Sequence, residues 1–172
     1  MIEVFERSKM ADSIPEFLSL YSTRPILLNK GGMGLNHSWA TWYIVKTLNP
    51  DLLVESGVWL GHSTWLLEKA APNAKIISFD ISFTNRSYFS NSVSYQERDL
   101  TDYDWSRHDL SDSLVFLDDH QNHYERLIHC YFFGFRRFIL EDVYPIEEGD
   151  FYSLKHLQNG SGINSLNLSK RF

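Results

Sequence analysis

Four short apolar runs in this chain stop at carboxylates: residues 52–54 at Glu55, 76–79 at Asp80, 114–117 at Asp118 and Asp119, and 138–140 at Glu141 and Asp142. An acid after a strand can cap the helix that follows it, or face a ligand at the carboxyl edge of a parallel sheet. Taken together these acids favour the ligand edge, because Asp80 and the Glu141–Asp142 pair precede no clear helix start. Behind the first run lies the turn Glu55-Ser56-Gly57-Val58-Trp59-Leu60-Gly61-His62-Ser63. Gly57 permits a tight turn, Gly61 permits close approach of helix and ligand, and the helix N-terminus beyond favours an anion. The turn lacks the Gly-Lys-Ser/Thr of a nucleotide triphosphate loop. Asp80, 23 residues after Gly57, ends the next run, where a ribose diol is commonly held. Turn and acid together point to an adenosyl-type ligand rather than to plain turn glycines.

Asp118, Glu141 and Asp142 form an oxygen-rich group, suited to Mg²⁺, Mn²⁺ or Ca²⁺ more than to zinc. His120 and His123, three apart, open a second reading as part of a two-histidine, one-carboxylate iron site. The commoner fate of such a pair at a helix start is capping or solvation. Cys130 is expected mid-helix and inert, and the Arg136–Arg137 pair is expected at the surface. Trp39, Trp42 and Trp59 are read as core, and Gly31–Gly34 as a surface loop rather than a lid.

These residues need elements to position them. Ala40, Tyr43, Ile44, Thr47 and Leu48 fall on one helical face that ends at Asn49-Pro50. A helix is expected over 14–21 and another over 63–71, closed by Pro72. A third, weaker strand is expected over 93–100, ending near Asp99. Tyr124, Leu127, Ile128, Tyr131 and Phe132 share a helical face, with Asn122 and Glu125 as start signals and Gly134 as the stop. Short strands alternating with helices imply an α/β, Rossmann-like open sheet, mostly parallel, with helices on both faces. A single domain of 172 residues is expected, with an arm over 1–36, a core over 37–145 and a short C-terminal segment over 146–172. A helix is expected near 150–158, with the closing strands short or missing.

The stretch LLVESGVWLGHSTWLLEKAAPNAKIISFDI resembles the first two strands of class I S-adenosylmethionine-dependent methyltransferases. More narrowly, it is similar to the metal-dependent catechol and caffeoyl-CoA O-methyltransferase group. That group's Glu-x-Gly-x-x-x-Gly-x-Ser turn is met by Glu55, Gly57, Gly61 and Ser63, and its ribose-holding acid by Asp80. Its Phe-x-Asp-x-Asp-Lys-x-x-Tyr segment is met by Phe116, Asp118 and Tyr124, with His120 and Gln121 as departures. The resemblance covers about residues 50–145. It implies S-adenosylmethionine (SAM) as cofactor, with Glu55, Gly57, Gly61, Ser63, Asp80 and Asp99 as cofactor-binding residues. It also implies a divalent cation, Mg²⁺ foremost, on Asp118, Glu141 and Asp142, orienting a small-molecule or sugar hydroxyl for methylation. Gln121 stands where the group has its lysine base, and an amide cannot take a proton. His120 is the expected substitute base, beside Asp118.

Composition narrows the partners. Lys and Arg number 16 against 22 Asp and Glu, a net charge of −6, which argues against a nucleic-acid backbone as partner. No apolar run reaches the roughly 20 residues needed to span a bilayer. The single Cys130 excludes an intrachain disulfide. A cytoplasmic location is expected, because the first residues lack a signal-peptide core. Homodimerisation through an exposed sheet edge is a further expectation. Two alternatives accompany the methyltransferase reading: a donor-binding remnant that has lost catalysis, and a metal-dependent hydroxylase using His120 and His123.

Overall fold

A computed structural model describes residues 5–145, 148 and 151–159. Its centre is a five-stranded sheet in the order β3-β2-β1-β4-β5, with β1 Leu52–Ser56, β2 Lys75–Asp80, β3 Val93–Glu97, β4 Ser113–Leu117 and β5 Phe138–Leu140. Every pairing is parallel. β1 and β4 are buried along their whole length, as central strands covered on both faces must be.

The pleat sorts side chains onto two cores. Leu53, Ile76, Leu114 and Phe116 face one layer, where helices α2 Ile14–Tyr21, α3 Leu35–Leu48 and α4 His62–Ala70 supply Phe17, Trp42, Val45, Leu66 and Leu67. Leu52, Val54, Ile77, Phe79, Val115 and Leu117 face the other, with Leu100, Trp105, Cys130 and Phe135. Each such large apolar side chain contributes roughly 1.5–3 kcal/mol on full burial. The second layer is built from helix α5 His123–Phe133 and two 3-10 turns, Leu100–Asp102 and Trp105–Arg107. A short helix, α1 Arg7–Asp12, precedes α2, and another, α6 Leu154–Gln158, closes the described part. The fold class expected from the sequence is therefore the one observed, with α1 and the two 3-10 turns added to the expected elements. The C-terminal stretch in which closing strands would fall, 160–172, lies outside the described residues, as does residue 150 at the start of the expected last helix.

Three local features differ from the sequence reading. The third strand stops at Glu97, because Asp99 instead caps a 3-10 turn by accepting the Thr101 N–H. On α5 much of the apolar face is exposed, Tyr131 at 58% and Phe132 at 81%, while Leu127 and Ile128 are half-buried and His123, Arg126 and Cys130 are buried. Arg126 is drawn in by two aspartates described below, and this ion pairing outweighs the apolar periodicity. Arg137 is only half-exposed, its Nε donating to the Ser113 carbonyl and its guanidinium pairing with Asp112, so it ties the start of β5 to β4.

The β1–α4 turn is set by glycine. Gly57 has φ +92°, and a Cβ there would stand 2.0 Å from the Asp118 carbonyl oxygen and 2.9 Å from the Asp119 nitrogen. No side chain fits between the turn and the end of β4. Gly57→Ala should therefore cost about 3 kcal/mol or more of stability in urea denaturation, from backbone clash and left-handed strain together. An unchanged midpoint would contradict this contact.

Candidate functional site

Where β1, β2 and β4 end, a cavity of about 400 Å³ opens beside the glycine turn. Ser56, Gly57 and Trp59 come from the turn, Phe79, Asp80 and Ile81 from the end of β2, and Arg98 and Asp99 from the end of β3. Asp118, Asp119, His120 and Gln121 come from the end of β4, Arg126 from α5, and Gly31 and Gly32 from the loop before α3. The glycine loop read as ordinary surface thus forms part of the wall. Trp59, read as core, is 51% exposed on the cavity rim with a left-handed φ of 49°.

Asp80 organises the turn. Its Oδ2 accepts the N–H groups of Val58 at 2.9 Å and Trp59 at 3.1 Å, and its Oδ1 accepts that of Ser82 at 3.1 Å. A carboxylate offers about four acceptor positions, so Asp80 keeps capacity towards the cavity it borders. Glu55 and Ser63, in contrast, lie beneath the turn and not on the cavity wall. Glu55 Oε2 accepts from Thr64 Oγ1 at 2.7 Å and from Ser78 Oγ at 2.5 Å, which ties β1 to β2 and to the first turn of α4. Burial pushes the Glu55 carboxyl above its ordinary pKa, partly offset by hydroxyl donors from Ser63, Ser78 and Thr64. Gly61 has φ +92°, caps α4 and packs against Tyr88.

The cavity wall at the ends of β3 and α5 carries an ion network. Arg126 donates to both oxygens of Asp99, at 2.8 and 2.5 Å, and its Nε lies 2.8 Å from Asp119 Oδ2. Ser56 Oγ also donates to Asp119, at 2.6 Å. Burial raises the Asp99 pKa, but the guanidinium and Thr101 donors outweigh it and hold the carboxyl well below the usual range. Asp99 therefore lines the cavity while already paired.

On the far side, ligand atoms of Asp118, His120 and Asp142 lie within 4.8 Å of one another. His120 Nε2 is 3.0 Å from Asp142 Oδ2. His120 and Asp142 both have left-handed backbone, φ 53° and 56°, a conformation that costs free energy and that the fold sustains at this point. Burial, followed by the charges of Asp142, Glu141, Glu55 and Asp119, pushes the Asp118 carboxyl up to about 9. Every one of these influences disfavours its charge, and no Lys or Arg pairs with it among the described residues.

Glu141 stands apart from this cluster. Its Oε1 is 2.6 Å from His37 Nδ1 and its Oε2 accepts the Asp142 N–H at 3.0 Å. His123 is likewise committed: its Nδ1 accepts the Leu154 N–H at 3.2 Å and its ring packs on Phe151. The structure thus brings Asp118, His120 and Asp142 together and places Glu141 and His123 in other contacts. Sequence reading missed His37, 104 residues from its partner. It also missed His62, buried with Nε2 3.0 Å from Ser38 Oγ and lowered by burial to about 4. Neither carries a local sequence signal. Cys130 is buried, and its thiol is pushed up to about 12 by burial, in keeping with an inert role.

The raised Asp118 pKa has a consequence for stability. A carboxyl whose folded pKa exceeds its unfolded value of about 4 contributes stability at low pH that is lost as pH rises towards the folded value. At pH 7 the carboxyl is therefore ionised in the unfolded chain but protonated in the folded one, and this proton uptake costs stability. Asp118→Asn should raise the metal-free protein's thermal midpoint there by roughly 2–5 °C, the effect of ~1 kcal/mol in a domain of this size, and the gain should vanish near pH 4. A lower midpoint at pH 7 would contradict this.

No protein-family model and no curated protein matches the chain. Solved structures do. The chain is similar to CmcI with SAH (16% identity, TM-score 0.58, covering 72% of this chain and 69% of that one). It is also similar to CmcI with Mg and SAM (17% identity, TM-score 0.53, 69% and 58%). A third likeness is to the SAH-bound methyltransferase PaMTH1 of Podospora anserina (14% identity, TM-score 0.56, 77% and 62%). The chain spans between 58% and 69% of the length of these proteins. Among the described residues no helix is long and apolar enough to cross a membrane. The described chain has the Rossmann-like fold of class I SAM-dependent methyltransferases.

Proposed function

We propose that this chain binds SAM in the cavity beside the glycine turn and transfers its methyl group to a hydroxyl of a small molecule or sugar, assisted by a divalent cation. The observation that carries this reading is the juxtaposition, on one sheet edge, of that cavity with the half-buried, uncompensated Asp118 and its neighbours His120 and Asp142. The likeness to SAH- and Mg–SAM-containing structures supports it.

Each residue has a task in this reading. Gly57 lets the turn rest on the β4 backbone beside the cavity, and Asp80 turns its remaining acceptor capacity to a ribose hydroxyl. Asp99, Ile81 and Arg98 border the base. Asp118 and Asp142 hold the cation, whose donor set the uncompensated carboxylate fits. A bound sulfonium would supply an electrophilic methyl group, and a cation held by Asp118 and Asp142 would lower the pKa of an acceptor hydroxyl. The hydroxyl oxygen could then take the methyl from sulfur and leave SAH, with the proton passing to water. Because the cation acidifies the hydroxyl, Gln121 in place of a lysine does not block the reaction. It does favour one second reading, donor binding without turnover.

Transfer of labelled methyl from SAM to a panel of catechols, other phenols and sugars tests the proposal. Turnover is expected with added divalent cation, with loss on chelation and a fall of about 100-fold or more in Asp118→Ala. Chelator-insensitive turnover that survives Asp118→Ala would remove the cation from the mechanism. Donor binding with no turnover on any acceptor would favour the second reading.

A further inference from the structure

The donors gathered at Asp118 are not all oxygens. Glu141, the acid expected to complete an oxygen set, gives one oxygen to His37 at 2.6 Å and the other to the Asp142 N–H at 3.0 Å. In its place His120 brings an imidazole nitrogen to 3.0 Å from Asp142 Oδ2. Its ring stands 5.6 Å from that of Phe151, itself packed on His123 and Tyr144. His120 therefore reaches the cluster against an aromatic wall, from a left-handed backbone position one residue beyond the acid pair at the end of β4. The three ligand atoms span 4.8 Å at most, which one cation with bonds of about 2.1 Å nearly bridges.

Ligand chemistry decides which cation such a set prefers. Mg²⁺ takes oxygen ligands and keeps its own waters, so a nitrogen donor gains it little. Imidazole binds first-row transition dications far better, and two carboxylates with one imidazole leave open positions for a substrate oxygen.

Building on the cation site proposed above, we infer that Asp118, His120 and Asp142 form a mixed nitrogen–oxygen site that selects a first-row transition dication, such as Mn²⁺, Fe²⁺, Co²⁺ or Zn²⁺, over Mg²⁺. His120 is then a metal ligand rather than the general base. Glu141 is a positioning residue, which buttresses the Asp142 backbone and links it to His37 at the start of α3.

Co²⁺ is the probe, because its visible absorption reports a nitrogen ligand directly. Titrating the full chain with Co²⁺ should develop one site whose bands Mg²⁺ at ~10-fold excess does not displace. His120→Asn, which tolerates the left-handed backbone, should weaken Co²⁺ binding by at least ~10-fold and alter the bands, whereas Glu141→Gln should stay within about threefold. Circular dichroism of both variants confirms that they fold. The inference is overturned if the chain forms no Co²⁺ site. It is equally overturned if His120→Asn binds like the parent, if Glu141→Gln loses the ion, or if Mg²⁺ displaces Co²⁺ at comparable concentration. A parallel calorimetric titration with SAH separates this inference from the one beneath it. Absent SAH binding with an intact, His120-dependent Co²⁺ site would refute methyl transfer and leave the metal assignment standing. SAH binding with a His120-independent ion would do the reverse.

Discussion

The contact between Gly57 and the end of β4 governs the rest of the site. With the Asp118 carbonyl 2.0 Å from where a Cβ would sit, the β1–α4 turn rests directly on the β4 backbone. The Gly57 N–H donates to the Phe79 carbonyl and the Asp118 N–H to that of Ser56, so the ends of β1, β2 and β4 are locked at one level. That lock places the cavity floor, Asp80 and Asp118 within one small volume. A larger residue at position 57 would separate the turn from the acids, and with it the cavity from the Asp118, His120 and Asp142 cluster.

Charge is distributed unevenly across that volume. On one side Arg126 neutralises Asp99 and Asp119, and this buried network fastens α5 to the ends of β3 and β4. On the other, Asp118 has four acids around it and pairs with no arginine or lysine among the described residues. A fold selected only for stability would have filled that position with a neutral or apolar group. The uncompensated carboxyl, beside two residues in left-handed conformation, is what supports the proposed positive ligand.

Much of this was legible from residue order. Apolar runs ending in acids fixed the strands, because central parallel strands must be apolar on both faces, and Gly57 with Asp80 located the pocket. What the order of residues hid depends on contacts between distant positions. The apolar periodicity of α5 gave no sign that Asp99 and Asp119 pull Arg126 inward while Tyr131 and Phe132 stay exposed. Glu141 looked like a ligand until His37, far away in the chain, claimed its oxygen. Glu55 matched a cofactor motif, yet its hydrogen bonds to Thr64 and Ser78 make it a buried strut beneath the turn.

The cavity at the carboxyl edge of β1, β2 and β4 is proposed to hold an adenosyl ligand. Calorimetric titration of the full chain with SAH, compared with Asp80→Ala, tests it most directly. The account predicts one site with a Kd of roughly 1–100 μM, about −8 to −5.5 kcal/mol, weakened at least ~10-fold in the variant. Absence of binding heat at millimolar SAH, or binding indifferent to Asp80→Ala, would contradict it.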